Sequence, residues 1–534
     1  MPGWNFADVW EVVAEQLPDA PAQIQGDRRF TWSELDRRAD GIGAWLLGLG
    51  VERQDRVAQY LYNCPEYLES LFGICKAGFV PVNTNYRYGD EELLYLWDNA
   101  DAVAVVFHGT FADRIAGLRD KLPGVKGWLW VDDGSGPCPE WADAYEAAAS
   151  SANERTVGPW GRDGDDLYML YTGGTTGMPK GVMWRQDDIF CTLNAASLGV
   201  RYPDEGTLDD ARALLQAPGL RALPACPLMH GTGAFTSFST LSSGGSIVTL
   251  QERSFSVEEL LGTIAGESVN VIAIVGDAFG KPMLRALEES PGRWDITSLF
   301  AIISSGVMWS EETKQELLKH HGGMLLVDAF SSSEALGMGS SVSSAAGAAT
   351  TAKFSLGDNA KVLTEDGREV TAGSGEVGLV AVKGRTPVGY HKDPEKSAAT
   401  FKVIDGVRYS IPGDFATVEA DGTLRLLGRG SVCINTGGEK VFPEEVEEVL
   451  KTHALVRDAV AVGVPDERFG QAIVAMVEPQ PGSNVDEADV IAHVKTRLAS
   501  FKAPRRVLTV ETIGRAANGK VDYKRLTTEA ESRV

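Results

Sequence analysis

The segment Tyr171-Thr-Gly-Gly-Thr-Thr-Gly-Met-Pro-Lys-Gly181 constrains this chain more than any other. It follows the apolar run Leu167-Tyr-Met-Leu-Tyr171, which predicts a short buried strand that delivers a loop to a cleft. In that loop Gly173, Gly174, Gly177 and Gly181 let backbone N–H groups approach an anion with no Cβ in the way. Thr172, Thr175 and Thr176 add hydroxyl donors, and Lys180 supplies a positive charge where negative charge concentrates. The predicted element is a phosphate cradle. It is not a Walker A loop: Met178 and Pro179 separate Gly177 from Lys180, and Gly181 stands where that motif places a magnesium-binding hydroxyl. P-loop ATPase chemistry is therefore disfavoured.

The rest of the chain alternates short apolar strands with amphipathic helices. Thr31-Trp-Ser-Glu34 reads as a capping box opening a helix whose apolar face holds Leu35, Ala39, Ile42, Trp45 and Leu46. Residues 56–61, 102–107, 269–275 and 300–303 read as buried strands. Residues 340–352, rich in Ser, Ala, Gly and Thr, read as a loop. At 534 residues the chain is too long for one core. The fold class expected is α/β: a large N-terminal α/β region of several subdomains, residues 1–430, and a small C-terminal α/β domain, residues 431–534, with Gly428-Arg-Gly-Ser431 as the boundary. The small domain reads as helix 443–450, strands 458–464 and 472–478, and helix 486–499.

Charge and cysteine usage narrow the function classes. The formal net charge is −24, and 14 Lys/Arg against 16 Asp/Glu after residue 430 leave −22 on the large region. Nucleic acid is an unfavourable partner for such a surface. Nine basic residues against two acidic ones between Lys495 and Arg525 make the tail the part of the small domain suited to facing phosphates. The six cysteines lie far apart with no C-x-x-C pair, which disfavours structural zinc and a disulfide framework. No apolar run approaches the roughly 20 residues that span a bilayer, so no integral membrane segment is expected. The N-terminus lacks the basic and apolar regions of a secretory signal, and a cytoplasmic location is expected.

Five further segments follow the glycine-rich loop in a fixed order. Ser304-Ser-Gly-Val-Met-Trp-Ser310 is similar to an S-G-G-A-P-L-S adenine loop, and Asp328-Ala-Phe-Ser-Ser-Ser-Glu334 to D/N-x-Y-G-x-T-E. Tyr409-Ser-Ile-Pro-Gly-Asp414 is similar to Y-x-T-G-D with one residue inserted. Asp421 to Arg429 matches the segment that ends in a ribose-contacting arginine, and Asn518-Gly-Lys520 the terminal lysine motif. With Y-T-S-G-T-T-G-x-P-K-G at residues 171–181, where Gly173 replaces Ser, nearly the whole chain resembles the adenylate-forming superfamily. Its members are acyl-CoA synthetases, luciferases and peptide-synthetase adenylation domains, and the resemblance is strongest to actinobacterial fatty-acid and steroid-side-chain acyl-CoA synthetases.

The resemblance implies roles residue by residue. Lys520 bridges carboxylate and phosphate, Lys180 and the loop Thr172 to Gly177 hold the departing phosphates, and Glu334 with Thr176 places Mg²⁺, a hard cation suited to oxygen donors. Ser305, Gly306, Val307 and the run Asp328, Ala329, Phe330, Ser331, Ser332, Ser333 surround the nucleotide, while Asp414 and Arg429 hold its ribose. Ser431 falls at the hinge position. The small domain would turn about it to present first Lys520 and then Gly437-Gly-Glu-Lys440, with Gly437 and Gly438 leaving room for the pantetheine arm of CoA and Lys440 facing the cofactor. Taken singly, Glu334 reads as an acid at a helix N-terminus and Asp414 as a turn residue; their order in the chain is what assigns them.

Pro227-Leu-Met-His-Gly-Thr-Gly233 matches the segment that gates the acid pocket, with His230 and Gly231 at the gate. Gly276, Asp277 and Trp309 are expected to line the same pocket. No Asp stands near His230 to bind an α-ammonium group, so the expected substrate is an apolar carboxylic acid without an amine. The implied reaction is ATP-dependent acid:CoA ligation through an acyl-adenylate, with ATP, Mg²⁺ and CoA. A free-standing enzyme that loads a carrier protein, and a nucleotide-sensing protein without turnover, are the alternatives. A homodimer is compatible with the sequence, which specifies no oligomeric state. Lys520→Ala is expected to abolish adenylation while sparing ATP binding, and pyrophosphate exchange at the wild-type rate in that variant would overturn the role given to Lys520.

Overall fold

The computed structural model describes residues 3–172, 178–307, 309–429, 433–436, 439–466, 470–516, 519 and 521–534. Three sheets organise them. The largest has fifteen strands. Its parallel part runs Pro21–Gln25, Ser246–Val248, Arg221–Pro224, Val271–Ile274, Ala301–Ser305 and Leu325–Ser332. The antiparallel strand Ala335–Ser343 then carries it through Lys353–Leu356 into a ladder that includes Leu424–Arg429, Asp414–Val418 and Gly378–Lys383.

The second sheet has eight strands, in the order Gly389–Tyr390, Lys180–Arg185, Leu167–Thr172, Val80–Asn83, Arg56–Tyr60, Ala102–His108, Gly127–Val131 and Asp143–Ala144. All pairs are parallel except the two at the Gly389–Tyr390 edge. Helices Phe6–Gln16, Trp32–Gly48, Pro65–Lys76, Gln186–Ala195 and Gly231–Ser242 share one core with both sheets, so each sheet buries a face against the same helical layer. Parallel strands buried on both faces read as near-continuous apolar runs, which is why they are legible in the sequence. Helices Val257–Glu267, Asp277–Glu289 and Glu311–His320 cover the far face of the first sheet.

The expected α/β class, with a large N-terminal sheet region and a smaller C-terminal α/β part, matches this architecture. The capping box forms as expected: Thr31 Oγ1 accepts from Glu34 N, and Glu34 Oε2 accepts from Thr31 N at 2.8 Å. Its helix buries Leu35, Ala39, Ile42 and Leu46, while Trp45 stays half-buried and donates from Nε1 to Asp143.

Two expectations change. Residues 340–343 continue the strand Ala335–Ser343, because backbone pairing with Leu326 to Ala329 outweighs the weak strand propensity of their three serines. The last helix predicted at 486–499 stops at Lys495, where Arg497 N and Leu498 N both bond back to Val494 O and tighten the chain.

The C-terminal sheet has five strands, Glu439–Val441, Ile434–Thr436, Gly470–Pro479, Val456–Asp466 and Arg506–Thr509, packed with helices Pro443–Lys451, Glu487–Lys495 and Tyr523–Arg533. Leu424–Arg429 is the last strand of the large sheet and Ile434–Thr436 the first of the small one. The expected boundary at 430 and 431, including the hinge position Ser431, lies outside the described residues. The Phe415 and Phe442 rings meet across it with centroids 5.4 Å apart.

One buried cation ties together the helices beneath the site. Lys76 is fully buried, and its Nζ lies 2.6 Å from both Asp36 and Asp40 and 3.3 Å from Glu11, which joins three helices. Removing one member of such a network strands the opposite charges, at about 3–5 kcal/mol. Lys76→Met should therefore lower the denaturation midpoint of the large region sharply; an unchanged midpoint would show that the three carboxylates find other partners.

Candidate active site

The strand Leu167–Thr172 runs antiparallel to Lys180–Arg185, in a register that sets Thr172 opposite Lys180 and Tyr171 opposite Gly181. This ladder closes the glycine-rich loop into a hairpin and places Lys180 at its mouth. Gly173, Gly174, Thr175, Thr176 and Gly177 lie outside the described residues. Gly181 has a steric reason to be glycine: a Cβ there would sit 2.8 Å from the Tyr171 ring and 2.9 Å from Met169 Sδ.

Lys180 Nζ pairs with Asp393 Oδ2 at 2.6 Å and stands 5.9 Å from the centre of the Tyr390 ring. The Tyr390 hydroxyl donates to Glu334 Oε1 at 2.9 Å. Lys180 and Glu334, 154 positions apart in the chain, are thus bridged by one aromatic side chain. Glu334 does not open a helix. It sits in the tight turn between Leu325–Ser332 and Ala335–Ser343, and its carbonyl accepts from Ser410 Oγ at 2.6 Å. The rest of its motif is held by backbone contacts: Ser333 O accepts from Trp184 Nε1, Ser332 Oγ from Ala335 N, and Ser331 Oγ from Gly337 N. Ala329 and Phe330 pair with Ser340 and Gly339. Asp414 likewise is no turn residue but opens the strand Asp414–Val418, with Arg429 directly opposite it.

Asp328 is buried on the strand that ends in this turn. Burial pushes its carboxyl up to about 7, opposed by the ammonium of Lys314 and reinforced by Asp277 and Glu448. Lys314 is itself fully buried, burial pulls its pKa down, and its Nζ has no hydrogen-bond partner among the described residues. Glu448 belongs to helix Pro443–Lys451, so the small domain contributes a carboxylate to a charge cluster of the large one.

Ser304, Ser305, Gly306 and Val307 sit at the C-terminal end of a parallel strand, the edge at which α/β sheets bind ligands. Ser304 Oγ accepts from Gly276 N at 2.9 Å, which ties this end to the next strand. Asp277 Oδ1 accepts from the Ser310 hydroxyl at 3.0 Å and from its N–H. The loop that leads to Lys520 arrives at the same edge: a Cβ on Gly519 would lie 2.7 Å from Val307 and 3.2 Å from Val275. Arg515 supports that loop, donating to Gly519 O at 3.2 Å while its guanidinium pairs with both oxygens of Asp458. Lys520, Gly437 and Gly438 lie outside the described residues; Lys440 stands on strand Glu439–Val441 opposite Asn435.

On the acid side, His230 caps helix Gly231–Ser242 and is half-buried. A Cβ on Gly306 would come within 4.0 Å of Thr232 Oγ1, so the first turn of this helix faces the adenine-loop strand end. Trp309, expected to line the acid pocket, is fully buried in the core between helices Asp277–Glu289 and Glu311–His320, and Gly280 leaves the space for its indole.

Tyr390 and Asp393 carry no local pattern that marks them in the sequence, and Thr232 lies inside the expected acid-gate segment without a role of its own there. Asn63 and Asn83 are unmarked too. Asn63 clamps residues 224–228, donating to Pro224 O and Cys226 O and accepting from Leu228 N. Asn83 ends an apolar strand and Asn63 lies in the loop three residues after another, positions at which Asn is ordinary and carries no signal of its own.

The family of AMP-binding enzymes matches residues 10–389, and the C-terminal domain of that family matches residues 445–520. The chain belongs to this family. It is 40% identical, over 99% of its length and 97% of the relative's, to a medium/long-chain-fatty-acid–CoA/3-oxocholest-4-en-26-oate–CoA ligase of Mycobacterium marinum. It is also 40% identical, over 97% and 95% of the two lengths, to a 3-oxocholest-4-en-26-oate–CoA ligase of Rhodococcus rhodochrous. ATP-bound MatB from Rhodopseudomonas palustris has the same fold, with a TM-score of 0.81, 24% identity and full coverage of both chains.

The Lys180–Asp393 pair supplies a test. Hydrogen bonds from Lys180 and Lys396 N hold the Asp393 carboxyl below its ordinary value, so the pair is intact at neutral pH and is lost only as pH falls through that lowered pKa. Its strength therefore does not change between pH 6 and 8. Both side chains are partly exposed, and such a pair contributes about 0.2–1 kcal/mol. Asp393→Asn keeps the helix cap to Lys396 and frees Lys180 for a competing anion, so the ATP dissociation constant should fall by up to about 5-fold. A weaker ATP complex would show that Asp393 orients Lys180 instead of competing for it.

Proposed function

We propose that the protein is an ATP-dependent acid:CoA ligase that converts an apolar carboxylic acid to its acyl-adenylate and then to the CoA thioester. The observation that carries this reading is the convergence of Lys180, Tyr390 and Glu334 at the mouth of the glycine-rich hairpin, with the loop before Lys520 docked on Val275 and Val307. In the first step a carboxylate oxygen attacks the α-phosphorus of ATP, the bond to the β-phosphate oxygen breaks, and pyrophosphate leaves. Two anions must meet, so the site has to hold both and offset the charge that grows on the leaving group. Lys520 would reach the carboxylate and α-phosphate, and Lys180, released from Asp393, would meet the leaving phosphates. Asp414 and Arg429, opposed across two strands, would hold the ribose.

Glu334 is an oxygen donor fixed through both its side chain and its backbone, which fits a Mg²⁺ held mostly by phosphate and water oxygens. When bound, that ion offsets phosphate charge. In the second step the thiol sulfur of CoA attacks the acyl carbonyl, AMP leaves, and the thiol proton passes to solvent. We propose that the small domain, residues 431–534, turns about Ser431 between these steps and brings Gly437, Gly438 and Lys440 to the CoA arm. A surface concavity lined by Tyr62, Tyr86, Arg87, Glu252, Arg253 and Ser254 offers two tyrosine rings 4.5 Å apart and tilted by 38°, with the Arg253 guanidinium 5.1 Å from the centre of the Tyr62 ring, groups that suit the nucleotide end of CoA.

The acid class we propose is a medium- or long-chain fatty acid or a steroid side-chain acid, on the strength of what the 40%-identical relatives are named for. A cytoplasmic location goes with the use of ATP and CoA. Pyrophosphate release should be measured with and without CoA across short, medium, long-chain and steroid-side-chain acids. Release with one class, together with a CoA thioester by mass, is the expected result. Adenylate formation without thioester would favour transfer to a carrier protein, and silence across the panel would overturn ligation.

A further inference from the structure

Asn83 ends the strand Val80–Asn83 and is buried. Its Oδ1 accepts from Tyr171 N at 2.6 Å, and its Nδ2 donates to Tyr171 O at 2.9 Å and to Met229 O at 2.7 Å. Backbone pairing between this strand and Leu167–Thr172 is recorded at Val82 and Met169, and the Asn83 amide continues that ladder with its side chain. Both amide protons and the amide oxygen are engaged.

The two backbone segments it joins belong to different substrates. Tyr171 precedes Thr172, which faces Lys180 at the phosphate hairpin. Met229 precedes His230, the cap of the acid-gate helix. Asn63 holds the chain that enters the acid-gate segment, through Pro224, Cys226 and Leu228, and among the described residues it bonds to none of the phosphate hairpin.

We propose that Asn83 is a positioning residue that couples the phosphate hairpin to the acid gate, so that ATP and the carboxylic acid each bind better in the presence of the other; this rests on the ligase reading above. The geometry favours coupling because a buried amide with all three groups bonded cannot follow a shift of the gate without pulling on Tyr171. Any displacement that broke one of these bonds would leave a buried polar group unsatisfied. The hairpin and the gate therefore move together or not at all.

The test uses the full-length protein, α,β-methylene ATP as the nucleotide probe, and the acid that supports pyrophosphate release. For the wild type, saturating acid is expected to tighten the probe by roughly 5-fold or more, and by reciprocity the probe should tighten the acid equally. Asn83→Ala should reduce that factor below about 2-fold, whereas Asn63→Ala should weaken the acid and retain the factor. Asn83→Asp keeps the shape and the Tyr171 N bond but turns a carboxylate oxygen toward two carbonyls. It should lose the coupling as well, and it decides the matter if the alanine variant does not fold.

A purely structural role predicts lower thermal stability with the factor preserved, and that result overturns the proposal. So does a wild type that makes acyl-adenylate yet shows no coupling, an outcome that leaves the ligase reading standing. Failure of every acid to release pyrophosphate overturns both.

Discussion

The ladder between Leu167–Thr172 and Lys180–Arg185 is the constraint on which the rest of the site depends. An antiparallel pair fixes which residues oppose each other, and a slip of one position would turn Lys180 to the other face. With Thr172 and Lys180 in register, the lysine stands at the loop mouth. Val388 N and His391 N add bonds to Met183 O and Gly181 O, which bring Tyr390 and Asp393 alongside. Tyr390 then reaches Glu334, and Glu334 is held from behind by Ser410 of the ribose segment. A chain of short polar contacts thus runs from the phosphate hairpin through the putting-together of three distant segments to the ribose strand.

The second organising feature is electrostatic and lies where the domains meet. Lys314 and Asp328 are both buried, and the same burial that pulls the lysine pKa down pushes the aspartate up, while the charge of each is the largest influence opposing the shift of the other. Glu448 of the small domain joins them when the Gly519 loop rests on Val307. The position of the small domain and the charge state of a nucleotide-motif carboxylate are therefore parts of one electrostatic system.

The buried parallel strands, the capping box and the C-terminal hairpin of long strands were legible, since each rests on a local pattern of two or three residue types. Residues 340–343, Ser-Ser-Val-Ser, differ from expectation because three serines and one valine carry too little local signal, and the strand exists through its pairing with Leu326 to Ala329. Glu334 and Asp414, taken singly, suggested a helix start and a turn; both lie at strand ends, and only their order in the chain pointed to a site. Trp309 looked like a pocket residue from its place in a motif, but its indole fills the gap beside Gly280. Asn83, Tyr390 and Asp393 are out of reach because what matters in each is a partner 56 or more positions away.

By itself the sequence determined the chemistry on offer: a glycine-rich loop of a composition suited to phosphate, a lysine beside it, acids and an arginine in a recognisable order, and apolar runs that must become buried strands. These follow from residue type and short-range spacing, which the chain carries locally. The tertiary structure alone decided which of these groups share a site. Lys180 meets Tyr390 and Asp393, Tyr390 meets Glu334, and Asn83 links Tyr171 to Met229 only because two sheets bury their faces on one helical layer and so bring their strand ends to a common edge. Such juxtapositions join residues 56 to 213 positions apart, and no local pattern in the chain encodes them.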